Sequence, residues 1–253
     1  MKDDPLARLV SLEGVASGFA AARDGIDVML RDRGLRRTSP ETTAESLLRG
    51  AHASAVLEGS GSTLGEVRDS GGDAIAQDAV RLSTELLSLV PVVKHAPLQA
   101  FARLHALAAA GSLEAEELGR SGARGDQLGR PRAADSAERL RRLSDLLLAP
   151  TSAPALVVAA FVHADLATAA PFASHNGLVA RAAERLILVA RGVDEKSLVV
   201  PEAGHLALRA AYESNLRGFR EGGQAGAHSW LLYAAEAFSA GAEASPLRLD
   251  AAE

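Results

Sequence analysis

The chain has 253 residues, a formal net charge of −5 and 47% hydrophobic content, enough to bury a large core in one domain or two smaller ones and too apolar for a disordered chain. The absence of cysteine excludes disulfides, thiol nucleophiles and Cys-ligated zinc. Only Lys2, Lys94 and Lys196 join arginine among the 27 basic residues of an acidic chain, which speaks against the clustered basic face of a nucleic-acid binder.

Aromatic residues make up 4% of the sequence, so Leu, Ala and Val must build the core. That composition favours helices, and the expected fold class is all-α. Pro5 opens a first helix with Leu6, Leu9, Val10, Val15 and Phe19 at core-like spacing, running towards Leu30 unless Gly14, Gly18 or Gly25 breaks it. Ser39-Pro40 has a cap residue followed by proline at the first helical position and starts a helix to about Leu57. Asp73 caps a third helix to about Val90, stopped by Pro91, and Pro97 opens a fourth to about Ala110. A Gly-, Arg- and Ser-rich stretch over 111–134 is the longest expected loop. Helices then follow from Asp135 to Leu148, from Pro154 to Ala169 and from about Gly177 to Arg191. One more follows Pro201, carrying Leu206, Leu208 and Tyr212, and a last runs from about Ala227 to Ala240 with Trp230, Leu231 and Phe238.

Between Leu146 and Ala180 the only formally charged residue is Asp165. Helices apolar on every side belong in the middle of a bundle. Pro150, Thr151, Ser152 and Pro154 interrupt the uncharged run, so no membrane span is expected. The acidic opening, Met1-Lys2-Asp3-Asp4-Pro5, has no apolar run like a signal peptide. The expectation is a soluble, cytoplasmic protein.

The segment 170–177 therefore joins two of the most buried helices, a rigid setting for a site. Ser174-His175-Asn176-Gly177 precedes a helix, where free backbone N–H groups and the helix dipole can hold an anion. Asn and Gly tolerate the left-handed backbone that such nests need. No nucleophile elbow, P-loop or dinucleotide fingerprint is present. His52, His95, His105, His163, His205 and His228 show no HExxH or similar ligand spacing, and they read as surface or satisfied core residues.

The stretch Ala170-Pro171-Phe172-Ala173-Ser174-His175-Asn176-Gly177-Leu178-Val179-Ala180-Arg181 resembles the signature loop of the Fic family, HxFx(D/E)GNGRxxR. Phe172, Asn176, Gly177 and Arg181 match it. The family's catalytic histidine falls on Ala170, its metal-binding acid on Ser174, its first glycine on His175 and its first arginine on Leu178. The apolar lead-in Leu166 to Ala169, the helix around Phe101, Leu104 and His105, the stretch Gly125 to Arg132, and Tyr212, Leu216 and Trp230 are similar to other parts of such proteins, over roughly 40–242. Ser54-Ala55-Val56-Leu57-Glu58-Gly59 resembles the family's inhibitory motif, (S/T)xxxE(G/N). There the glutamate reaches the second signature arginine, the position of Arg181, and blocks the site of the nucleotide γ-phosphate through charge-assisted pairing.

The resemblance implies a Fic-like helical bundle over 39–242, with an inhibitory-type helix at 39–59, a helical region at 1–38 and a tail at 243–253. In active relatives the histidine takes a proton from a target hydroxyl, which attacks the α-phosphate of ATP, with Mg²⁺ bound; AMP is transferred. Ala170 offers no base, a loss of about 10²–10⁴-fold in such steps. Ser174 is a poor ligand for Mg²⁺, which prefers anionic oxygens, and Leu178 removes a guanidinium from the phosphate clamp. The expectation is a degenerate member that acts by binding an unidentified protein partner, with an oligomer left open and with neither nucleic acid nor membrane as partner. Its anion- or nucleotide-binding residues would be Ser174, His175, Asn176, Gly177 and Arg181, and its inhibitory residue Glu58. ATP and Mg²⁺ stand as the cofactors implied. Two alternatives stay open: a nucleotidyl- or phosphoryl-transferring enzyme with an altered motif, with His175 as the candidate substitute base, and an unrelated helical interaction module.

Overall fold

The computed structural model describes residues 4–32, 39–121 and 136–249. Among them are fourteen α-helices, one short 3-10 helix and no strand; Ser121 and Phe172 form a single antiparallel bridge. The all-α expectation holds. The helices are α1 (Pro5–Val10), α2 (Val15–Asp32), α3 (Pro40–Leu57), α4 (Leu64–Arg68), α5 (Ala74–Glu85), α6 (Val90–His95), α7 (Pro97–Ala109), α8 (Ser136–Leu148), α9 (Ala155–Ala169), α10 (Asn176–Ala190), α11 (Pro201–Ala207), α12 (Arg209–Glu221), α13 (Gly223–Glu243) and α14 (Pro246–Leu249).

The differences from the expected elements have local causes. The first helix breaks into α1 and α2 at Gly14, whose φ of 75° is the left-handed conformation open to glycine. The third breaks too, but Pro91 does not end it. A 3-10 turn over Leu86–Leu89 changes direction, and Pro91 then sits in the first turn of α6, where its missing N–H costs nothing. The short α4 was not expected; Thr63 and Glu66 form a reciprocal capping box that starts it. The helix after Pro201 is two, α11 and α12, meeting at Leu208. Asp135, residues 122–134 of the long loop and, within them, the Gly125 to Arg132 stretch lie outside the described residues.

α9 and α10 form the central hairpin. All but four residues of α9 are buried, and Asn176 to Leu188 of α10 are buried without a gap. α9 carries one ionisable histidine, His163, and one acid, Asp165, which pairs at 2.6 Å with Arg139 of α8. Trp230 of α13 closes over it and donates its indole N–H to the Ala160 carbonyl at 2.8 Å. α2 lies on α13, with Phe19 and Phe238 6.2 Å apart. α11 presses so closely on α13 that a side chain at Gly204 would collide with the Ala237 carbonyl, and this approach brings the next residue, His205, into the core.

α10 also carries three buried charges, Arg181, Glu184 and Arg185. Such groups are tolerated only when paired. Arg185 donates to the Val199 carbonyl at 2.6 Å and to Ser46 of α3, and lies 3.3 Å from Glu202. It pins α3 and α11 to the central hairpin. No described helix is long and apolar enough to cross a membrane.

Candidate functional site

Arg181 is 1% exposed, and its guanidinium is held on three sides. Nε donates to Ser54 Oγ at 2.7 Å and one terminal nitrogen donates to the Ser54 carbonyl at 3.1 Å. That same nitrogen donates to Glu58 Oε1 at 2.7 Å, and the other terminal nitrogen donates to the Tyr212 hydroxyl at 3.0 Å. Glu58 is the C-cap of α3, so its side chain leaves the helix end facing α10. Burial opposes the charged guanidinium, but Tyr212 and Glu58 hold its pKa above the ordinary arginine range.

Glu58 and Arg181 border a cavity of about 340 Å³, whose other walls include Thr168, Gly177, Tyr212, Arg217 and Arg220. Three guanidiniums thus line it, against the carboxylates of Glu58 and Glu213. An anion entering it would meet Arg181 at the base, where low dielectric strengthens the attraction, once Glu58 gave way.

The 170–177 loop is tightly self-bonded. Ala170, 1% exposed, ends α9 in a left-handed conformation, and His175 precedes α10 in another, with φ of 43° and 55°. The Asn176 side chain accepts from the Phe172 N–H and donates to the Phe172 carbonyl, both at 2.9 Å, and so closes the loop as a ring. Phe172 stacks on His105 with centroids 4.5 Å apart. Burial pushes His105 down to about 4, with His175 adding to the effect; its Nδ1 accepts from the Gly119 N–H at 3.0 Å.

The residues proposed from sequence to bind an anion are therefore placed differently from one another. Gly177 and Arg181 line the cavity. Asn176 is spent on the loop. Ser174 is 2% exposed and its hydroxyl lies 2.6 Å from His175 Nδ1, while His175 Nε2 lies 3.0 Å from Asp78 Oδ2. Asp78 also pairs with Arg81 at 2.8 Å. His175 is thus oriented towards α5 and is not in the cavity wall. At the position of the implied metal-binding acid, the only donor is a covered serine hydroxyl already bonded to an imidazole. That donor set does not fit Mg²⁺.

Sequence reasoning missed the group behind Arg181. His163, Glu184 and His205 meet in the core, fully buried or 1% exposed. Glu184 Oε2 lies 3.0 Å from His163 Nδ1 and 2.8 Å from His205 Nε2. The Tyr212 and Tyr233 hydroxyls lie 3.0 Å and 2.7 Å from the other ring nitrogens. Burial holds His163 down to about 4; burial also works against the Glu184 carboxylate, but the two histidines hold it low, at about 2. Glu184 and His205 are 21 residues apart in sequence, so no local spacing rule finds them. The one available signal was an acid inside the apolar run of α10.

No family model matches the sequence, and no curated protein matches it. Solved structures do match. A Fic family protein from Desulfovibrio desulfuricans G20 superposes with a TM-score of 0.75 at 19% identity, covering 92% of this chain and 74% of that one. A fragment of Fic-1 from C. elegans gives 0.70 at 17% identity, covering 94% and 74%. A substituted form of that fragment gives 0.67 at 18%, covering 90% and 71%. The chain has the Fic fold.

Proposed function

We propose that this chain is a Fic-fold protein that has lost efficient AMP transfer and acts by binding, with Arg181 as an anion anchor and Glu58 as its built-in occupant. The observation that carries the reading is the contrast across one loop. Where the resemblance puts a general base, Ala170 is a buried methyl group; where it puts the phosphate-binding arginine, Arg181 survives with a carboxylate 2.7 Å away. Loss of the base alone costs about 10²–10⁴-fold, and Ser174 and Leu178 remove further parts of the same machinery. Leu178 is 2% exposed and sits in the apolar core, so the missing guanidinium has no polar successor there.

The altered-motif enzyme gains no support from His175, because its ring is bonded to Ser174 and Asp78 and is absent from the cavity wall. The reading implies a protein partner whose binding answers to the state of the Glu58–Arg181 pair. The test uses wild-type and Glu58→Ala protein with ATP, Mg²⁺ and a cell lysate, followed by mass spectrometry for AMP-modified peptides. The expected result is no modification above a lysate control in either sample. Protein-dependent modification in the Glu58→Ala sample would refute the loss of transfer.

A further inference from the structure

His163, Glu184 and His205 come from α9, α10 and α11, three helices that meet behind the Arg181 cavity. One ligand atom from each residue can be chosen so that all lie within 4.8 Å of one another. The set is two imidazoles and one carboxylate, the donor chemistry of zinc and related divalent ions. We propose that these three side chains form a buried, structural metal-binding site for a divalent transition cation of the Zn²⁺ class.

Two observations beyond the cluster itself support a cation. First, His163 Nδ1 and His205 Nε2 both close on the same oxygen, Glu184 Oε2, at 3.0 Å and 2.8 Å, while the buried Glu184 Oε1 makes no hydrogen bond. The His163 and Glu184 side chains are 0% exposed. Convergence of two imidazole nitrogens on one carboxylate oxygen is the arrangement that ligands of a shared cation adopt, and the orphaned buried oxygen beside them is costly unless something binds it. A cation bound by both oxygens of Glu184, by His163 Nδ1 and by His205 Nε2 satisfies every one of these atoms and gives four coordination without solvent. Second, the outward nitrogen of each ring meets a tyrosine hydroxyl, His163 Nε2 with Tyr212 and His205 Nδ1 with Tyr233. Metal-bound histidines regularly donate their second N–H to such an oxygen, which fixes the ring and its tautomer. The Tyr212 oxygen can accept from His163 as well as from Arg181.

The site would clamp α9, α10 and α11 together directly beneath the anchor arginine. This proposal stands apart from the AMP-transfer reading, since it concerns a different set of residues and a different ligand.

The experiment is a Co²⁺ titration of the full-length, tag-free protein after chelator treatment, read by visible absorption and by the unfolding temperature, with metal content of the untreated protein measured alongside. The expected result is saturation at one equivalent with an intense low-symmetry band, displacement by Zn²⁺, and a higher unfolding temperature with metal than without. Tyr233→Phe keeps the three ligands and should weaken binding about 10- to 100-fold. His95→Ala, at an exposed position, should leave it unchanged. A wild-type protein that shows neither the band nor a metal-dependent unfolding temperature would overturn the proposal. So would binding that His95→Ala abolishes, or that Tyr233→Phe leaves at full strength.

Discussion

Removing the Glu58 carboxylate tests the anchor reading most directly. Arg181 and the Glu58 side chain are 1% and 4% exposed, so the pair is a buried one. Deleting one partner of such a pair costs about 3–5 kcal/mol, because the remaining charge stays buried and uncompensated. Ser54 and Tyr212 still receive three of the guanidinium's hydrogen bonds, but neither carries a negative charge. For a chain of this length each kcal/mol moves the unfolding temperature by about 2–4 °C, so Glu58→Ala should melt about 6–20 °C lower. The vacated position then becomes a site for an added anion. At a hundredfold excess over Kd, a ligand restores about 2.7 kcal/mol, or about 5–11 °C. In the wild type the ligand must first displace Glu58, and a pair of that strength weakens apparent binding by about 10²-fold or more. The assay is thermal unfolding of both proteins with ATP, tripolyphosphate and matched chloride. Tripolyphosphate should stabilise Glu58→Ala strongly, the wild type weakly, and Glu58→Ala/Arg181→Ala not at all. A folded Glu58→Ala protein no more responsive than wild type would refute the claim that Glu58 occupies an anion site.

Tyr212→Phe removes a hydroxyl that is bonded to Arg181 and His163 while keeping the ring, which is 5% exposed; urea titration should show a loss of about 1–3 kcal/mol. His105 has a folded pKa of about 4 against an ordinary value of 6.5, so the unfolded chain binds the proton more readily. Its contribution is therefore intact above pH 6.5 and is lost as pH falls towards 4. Between pH 7 and pH 5 the His105 share of the loss should be about 2 kcal/mol at 1.36 kcal/mol per pH unit, so His105→Gln should lose less than the wild type by about that amount; equal slopes in the two proteins would contradict this. Gly204→Ala places a methyl group against the Ala237 backbone and should cost about 1–3 kcal/mol or more. Gly25→Ala, in α2 with nothing within 4 Å of the new Cβ, should stabilise by about 0.4–1 kcal/mol.

The central hairpin could be read from sequence because its signal is global: two long segments without solvent-facing polar residues have only one place in a bundle. Ser39-Pro40 could be read because capping is local chemistry, and α3 starts at Pro40 with Ser39 as its cap. Gly14 was one of three glycines named as possible breaks, but which of them breaks the helix was not legible, nor was the turn at Leu86–Leu89, since both depend on which partner helix the chain meets next. The site divides in the same way. Glu58 and Arg181 were flagged by motif and lie 2.7 Å apart, though they are 123 residues apart in sequence. Ser174 to Gly177 were flagged as a generic helix start, but side-chain pairing turns three of those four residues inward or towards α5. Their alternative partners, Phe172 and Asp78, are invisible to any rule that reads the loop alone. His163, Glu184 and His205 come together only because Gly204 lets α11 approach α13.

On the proposed reading, the loop before α10 and α10 itself separate what the fold needs from what transfer chemistry needs. Ala170 and Leu178, where the resemblance would put polar groups, are apolar residues at 1% and 2% exposure, and each fits the core without leaving an unpaired atom. Arg181 cannot be replaced as simply. It bridges α3 through Ser54 and Glu58, α12 through Tyr212 and, through that same hydroxyl, His163 of α9. Loss of the guanidinium would take from the buried Glu58 carboxylate its cationic partner, a cost of about 3–5 kcal/mol. An arginine in this position is thus held by stability alone, and its presence is no proof of nucleotide binding. The cavity beside it is the feature that stability does not require. Arg181 is itself covered, at 1% exposure, yet it borders about 340 Å³ of space whose lining also includes Arg217 and Arg220. The double substitution of Glu58 and Arg181 separates the two roles: a purely structural pair leaves no anion response to abolish, and an anchor does.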